Sequence, residues 1–194
     1  MRALLAEVRA CRLCAEHLPL GPRPILAAAP SSRVLVVGQA PGARVHASGV
    51  PWQDASGDRL REWMGIDAET FYDARRVALV PMGFCYPGKQ GAGDAPPRPE
   101  CAHAWHARLL EKLEHVELTL LIGAHAQAYY LGAERGATLT ETVRRWKTFG
   151  AARLPLPHPS PRNTVWMHRN PWFADEVLPT LRRRCRALLA PDRR

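Results

Sequence analysis

Four consecutive apolar residues, Val34-Leu35-Val36-Val37, stop abruptly at Gly38. A run that is apolar at every position and rich in β-branched side chains predicts a parallel strand buried on both faces. Gly38, Pro41 and Gly42 bar continuation as strand or helix, so the groups that follow sit on a turn at the strand's carboxyl end. Open α/β sheets bind their ligands at that edge. Similar runs at Val77–Val80 and Leu118–Ile122 predict two more buried strands, and Leu154-Pro155-Leu156-Pro157 leads into His158. Between these runs the apolar positions recur at helical spacing. A first helix falls within Met1–Cys14, with Leu4, Leu5, Val8 and Cys11 in line. A second starts near Ser56, turns Leu60, Trp63 and Met64 inward, and is closed by Gly65. Arg98–His115 carries Trp105, Leu109, Leu110 and Leu113 on one face; further helices follow Gly123 and span Thr140–Phe149. The last starts at Asn170, an N-cap followed by Pro171, and runs through Val177, Leu178 and Leu181 towards Leu189. Alternating strands and helices without internal repeats predict an α/β fold: a three-layer α/β/α sandwich with a central, mainly parallel four-stranded sheet, in one domain over residues 1–194.

Two segments stay outside this pattern. Leu18–Ser32 is proline-rich, and Pro81–Pro99 is a long loop rich in glycine and proline. A loop of that length in a small domain needs a function or a clamp. Cys85 and Cys101 lie at its two ends, and with Cys11-x2-Cys14 they compose a potential four-thiolate metal site. A two-residue gap lets both thiolates turn towards one centre. Spacing alone does not separate zinc from an iron–sulfur cluster, and scattered buried cysteines are the simpler alternative. Cys185, alone on the apolar face of the last helix, reads as core.

Charge narrows the class of partner. Twenty-seven Lys and Arg against eighteen Asp and Glu give a formal net charge of +9. Such a balance favours a polyanion, with nucleic acid foremost; arginine enrichment from a GC-rich genome is the competing explanation. No apolar run approaches the roughly 20 residues that span a bilayer, and no signal-type apolar region opens the chain. The expected setting is the cytoplasm, where a reducing environment argues against a disulfide framework for the five cysteines. No phosphate-binding fingerprint follows the first strand.

Several motifs, in order, resemble one family. Gly38-Gln39-Ala40-Pro41-Gly42 follows the first strand, Ser48-Gly49-x-Pro51-Trp52 lies downstream, and His158-Pro159-Ser160 comes late, with the four cysteines interspersed. Over nearly the whole length this is similar to the uracil-DNA glycosylase superfamily, and above all to its iron–sulfur family 4 branch. The resemblance implies a 4Fe–4S cluster on Cys11, Cys14, Cys85 and Cys101. It also implies a monomer that extrudes a nucleotide from DNA and holds the flipped base by stacking and edge contacts. Trp52 takes the stacking position. The backbone of Gly38, Gln39, Ala40 and Pro41 approaches base and sugar. His158 stabilises charge on the departing base, while Ser160 and Arg162 press on the DNA. The implied activity is that of a monofunctional DNA glycosylase of base excision repair, acting on uracil or another deaminated base. The alternative is a DNA- or lesion-binding relative with weak or no excision.

The chain departs from the family 4 pattern at informative places. Ala40 matches family 4, where some other branches have a water-activating Asp, but Gln39 replaces the Glu common in family 4. Gln39 and His46 are therefore the residues available to position water. Pro81 occupies the place of an Asn that reads the uracil edge, and a proline offers neither a side-chain hydrogen bond nor a backbone N–H. Asn163 is a replacement reader within a His-Pro-Ser-Pro-Arg-Asn string similar to that of the single-strand-selective branch; shaping that loop is its other role. Arg162, His168, Arg169 and the Arg182-Arg183-Arg184 run offer phosphate contacts, which position DNA without reading bases; the arginine run equally suits a solvated helix face.

Overall fold

Val34 and Val36 face one helical layer and Leu35 and Val37 the other, so every position of the first strand is apolar. The computed structural model describes residues 1–190. The chain opens with α1 (Arg2–Arg9), crosses to β1 (Val34–Val37), and passes through α2 (Ala43–Ser48), α3 (Ala55–Met64) and α4 (Ala68–Tyr72) to β2 (Val77–Leu79). A small hairpin, β3 (Lys89–Gln90) and β4 (Gly93–Asp94), precedes α5 (Pro99–Leu110), β5 (Leu118–Ile122) and α6 (Gly123–Leu131). Then follow α7 (Leu139–Arg144), β6 (Arg153–Leu156), α8 (Thr164–Arg169) and α9 (Leu178–Leu189).

The main sheet has four strands in the order β2-β1-β5-β6, all parallel. On one face Leu60, Met64, Phe71, Phe173 and Leu181 pack against Val34, Val36, Leu120 and Leu154, with Cys185 buried among them. On the other, Leu4, Val8, Leu109, Ala126 and Leu131 cover Leu35, Val37 and Leu121. This is the predicted three-layer sandwich. Because parallel strands all end at one edge, the segments after β1, β2, β5 and β6 converge there.

Both sheet edges are managed. Pro155 lies in β6, an edge strand paired only with β5, so its missing N–H costs no ladder bond there. The proline-rich segment covers the outer side of β2: Ala27 and Leu79 exchange backbone hydrogen bonds of 3.0 and 2.7 Å.

The helices differ from expectation mainly at their ends. The first stops at Arg9, leaving Cys11 and Cys14 beyond the helix. The α5 helix stops at Leu110, which is exposed, while Leu109 and Leu113 are buried as expected. Residues 139–149 divide into α7, held by a Thr138–Glu141 capping box, and a 3-10 turn over Trp146–Phe149. Asn170 is not a backbone cap: its Oδ1 accepts the Trp172 indole N–H at 3.1 Å and its Nδ2 donates to the Trp166 carbonyl at 2.8 Å. The last helix does start at Pro171, directly after Asn170, and passes through a wide π-type turn over Phe173–Val177 before α9, next to Pro179, whose missing N–H it accommodates. The long loop carries the β3–β4 hairpin, a structure of its own too short for periodicity to reveal.

Candidate active site

β1 delivers Gly38 to the edge where the strands end. The Gly38 and Gln39 carbonyls accept hydrogen bonds from the Met82 and Gly83 N–H groups, both at 2.9 Å, tying the loop after β1 to the loop after β2. Beside them opens a cavity bounded by the Gly38–Gly42 main chain, Trp52, Asp54, Pro81 and His158.

Trp52 is held there by a strained backbone. Its φ of 58° is the only left-handed value at a non-glycine among the described residues, a conformation that costs about 1–3 kcal/mol and persists only where its surroundings enforce it. Two glycines make room. A Cβ on Gly57 would lie 1.8 Å from the Trp52 carbonyl oxygen, and one on Gly38 would lie 2.6 Å from the indole ring. The Tyr72 hydroxyl donates to the Trp52 carbonyl at 3.3 Å and accepts from Arg61 at 3.1 Å. So placed, the indole stacks on His158 with ring centroids 5.8 Å apart and planes 25° from parallel.

His158 heads the loop after β6. The Ser160 N–H donates to its Nδ1 at 3.2 Å. A ring nitrogen that accepts carries no proton, so neutral His158 presents an N–H at Nε2. Burial lowers its pKa, opposed by the charges of Asp54 and Asp94, which keeps the ring neutral near pH 7. The rest of the motif buttresses this loop. Asn163 Nδ2 donates to the His158 carbonyl at 2.7 Å. Ser160 Oγ accepts from the Arg162 N–H at 3.3 Å, and the Ser160 carbonyl accepts from Arg59 at 3.1 Å. The Arg162 side chain is exposed and approaches Gly93 of the hairpin, and Val165, 59% exposed, stands just beyond.

The remaining predicted residues separate. Gln39 Nε2 donates to the Ala95 carbonyl at 3.4 Å, so the hairpin leans on this wall; Asp94 Oδ2 would lie 3.3 Å from a Cβ on Gly42. Ala40 and Pro41 line the cavity without ionisable groups. His46 is not among the residues lining this cavity. It sits on α2 with its ring 6.0 Å from that of Tyr86, and its buried Nδ1 has no hydrogen-bond partner among the described residues. Burial, reinforced by Arg23, lowers its pKa. Within the arginine run, Arg182 reaches the Glu62 carbonyl at 3.5 Å, and Arg184 reaches the Ala151 carbonyl at 3.2 Å and lies over Trp146.

Behind Pro81 stands a group the sequence did not single out. His106, fully buried on α5, donates from Nε2 to the Pro81 carbonyl at 3.0 Å and accepts the Tyr130 hydroxyl at Nδ1, 2.6 Å away. Phe84 stacks on it at 5.8 Å. A histidine in an apolar helix was the available signal, and that pattern also fits any satisfied core histidine. Burial pushes its pKa down from 6.5 to about 4. Between those values the unfolded chain binds a proton that the folded chain refuses, so stability is complete above about pH 6.5 and falls as pH drops towards 4. The expected loss is roughly 3 kcal/mol. Urea unfolding across this window checks it: the stability difference between the protein and its His106→Gln variant should shrink as pH falls.

Cys11, Cys14, Cys85 and Cys101 line one pocket with Leu18 and Phe84, whereas Cys185 lies apart in the core. Burial pushes the Cys85 thiol up to about 11 and Cys101 up to about 12, with the neighbouring cysteines adding to both. The Phe84 N–H donates to Cys101 Sγ at 3.3 Å. Among the described residues no three or more His, Cys, Asp or Glu side chains are gathered as they would be around a single metal ion.

Fold and cavity together define a ligand site at the carboxyl ends of a parallel sheet, built from an aromatic platform, a neutral histidine donor and close-approaching main chain. The family model of the Uracil DNA glycosylase superfamily matches residues 26–182, and the chain belongs to that superfamily. The match takes in Gly38, Trp52, Pro81, Cys85, Cys101 and His158, and leaves Cys11 and Cys14 outside. Members of that superfamily are in general hydrolytic DNA glycosylases that act on DNA. No helix among the described residues is long and apolar enough to cross a membrane.

Proposed function

We propose that the protein is a monofunctional DNA glycosylase of the iron–sulfur type, which flips uracil or another deaminated base into the Trp52–His158 cavity and hydrolyses its N-glycosidic bond. The observation that carries this reading is the shared cavity itself: one stacking ring and one neutral imidazole whose Nε2–H has been fixed by Ser160. Breaking the bond leaves negative charge on the base and positive charge on the sugar. A preorganised neutral donor at the base stabilises that charge without first having to lose its own proton. Stacking on Trp52 contributes about 1–3 kcal/mol to holding the base. Outside the cavity, exposed Val165 suits an apolar wedge into the gap left by an extruded nucleotide, with Arg162 on the phosphates.

Base choice follows from what surrounds the pocket. Pro81 offers no donor, and its carbonyl is engaged by His106, so residue 81 reads no edge by hydrogen bonding to its N–H. Asn163 is engaged with the His158 carbonyl, which supports a loop-holding role rather than edge reading. Edge contacts then fall to the Gly38–Pro41 main chain and Gln39, a less selective set that suits several deaminated bases.

The donor set fits a 4Fe–4S cluster. Four thiols surround one pocket, and metal binding would displace the protons that burial otherwise retains. A tetrahedral zinc–thiolate site brings its sulfurs within about 3.8 Å of one another, from bonds of roughly 2.3 Å. A cluster with one iron per cysteine accepts a wider ring. Bound there, it would tie the turn after α1 and the proline-rich segment to the loop that carries Pro81 and the hairpin.

Purified, metal-loaded protein incubated with oligonucleotides containing uracil, hypoxanthine or xanthine, single- and double-stranded, tests the activity. Alkali-dependent strand cleavage for at least one base is expected. Measurable DNA binding with no cleavage for any base would favour the second reading, a lesion-binding relative, for which the carboxamide of Gln39 in place of a carboxylate argues.

A further inference from the structure

Trp52 and His158 serve the departing base, and neither answers the positive charge that grows on the sugar. Gln39 and Ala40 carry no carboxylate. Asp54 lines the same cavity, half-buried, two residues beyond Trp52. Its backbone is extended, with φ −155° and ψ 179°, and its Oδ1 accepts the Gly57 N–H at 2.9 Å as the N-cap of α3. That bond fixes the carboxylate's orientation. Oδ2 makes no hydrogen bond within the protein among the described residues, which leaves it to the cavity. A cap alone does not call for a charge, since Ser or Asn caps as well. Asp94 also bears on His158, but it is exposed on the hairpin, where water screens it.

We propose that Asp54 is the catalytic carboxylate of this site, opposing the sugar cation and orienting the water that attacks it. The assignment rests on the glycosylase reading. The N-glycosidic bond breaks with its electron pair leaving on the base, where the His158 Nε2–H meets it. Water oxygen bonds to the sugar C1′ and gives one proton to the Asp54 carboxylate, which passes it to solvent. The base anion takes up a proton from solvent, so the products are free base and an abasic site.

Asp54→Asn and Asp54→Ser keep the cap and remove the charge. Single-turnover excision should fall about 100-fold or more in both, with thermal unfolding and DNA affinity close to those of the unaltered protein. A readout independent of turnover is the ¹⁵N titration of His158. Removing the anion that opposes burial should lower its pKa further. An active protein whose Asn variant is equally active would overturn the Asp54 assignment alone, as would an unchanged His158 titration. A protein inert towards every base would overturn the glycosylase reading and this assignment together.

Discussion

His158→Ala should slow base excision about 100- to 1,000-fold in single-turnover assays, the size of effect seen when one preorganised donor is removed from a charge-developing transition state. The argument lies in the tautomer. Because Nδ1 is occupied by the Ser160 N–H, the only ring proton at neutral pH points from Nε2, and the charge developing on the base is what it can meet. DNA affinity should change little, since the interaction strengthens only as the bond breaks. Trp52→Ala should produce a smaller loss, about 10- to 100-fold from the stacking energy of one base, and Trp52→Phe should recover part of it. Unchanged excision in His158→Ala, measured on protein whose fold is verified by circular dichroism, would remove the histidine from the chemistry.

The second large effect concerns the four cysteines. Cys101→Ser should abolish the visible absorbance expected of the iron-loaded protein and lower its thermal midpoint by more than about 10 °C. A structural metal–thiolate centre contributes several kcal/mol or more to folding, and each kcal/mol moves the midpoint of a protein this size by about 2–4 °C. Cys101 is buried at the head of α5, and Cys11 and Cys14 lie beyond the end of α1, so loss of the proposed centre would free segments that no regular element holds. Cys185→Ser is the control. It places a hydroxyl in the core and costs stability, yet the colour should remain. A colourless protein carrying stoichiometric zinc would contradict the cluster assignment.

Most of the scaffold was legible because short apolar runs, rich in β-branched residues and bounded by turn residues, point to buried parallel strands. The apolar runs at Val34, Val77 and Leu118 marked the sheet, and Gly38 marked where it ends. Pro155 obscured the fourth strand, which is tolerable only because β6 is an edge. Within the site, Trp52 and His158 were legible as members of ordered motifs, and the structure stacks them. What pattern could not convey is which groups the topology brings together across distance. His46 and Gln39 lie only seven residues apart in sequence, yet α2 carries His46 to Tyr86 while Gln39 stays on the cavity wall. Asn163 has the right chemistry to read a base and spends its amide on the His158 carbonyl. Asp54 reads as an ordinary helix cap until the cavity beside it is seen, and His106 as ordinary core until Pro81 is found at its Nε2.

The most direct test of the central claim is mass spectrometry of the small-molecule products after incubation with a duplex and a single strand containing one uracil, hypoxanthine or xanthine. The account predicts free base released in equal amount to abasic sites, with the DNA backbone intact until alkali is added. Bound DNA that yields no free base from any of these substrates, or strands nicked without alkali, would contradict it.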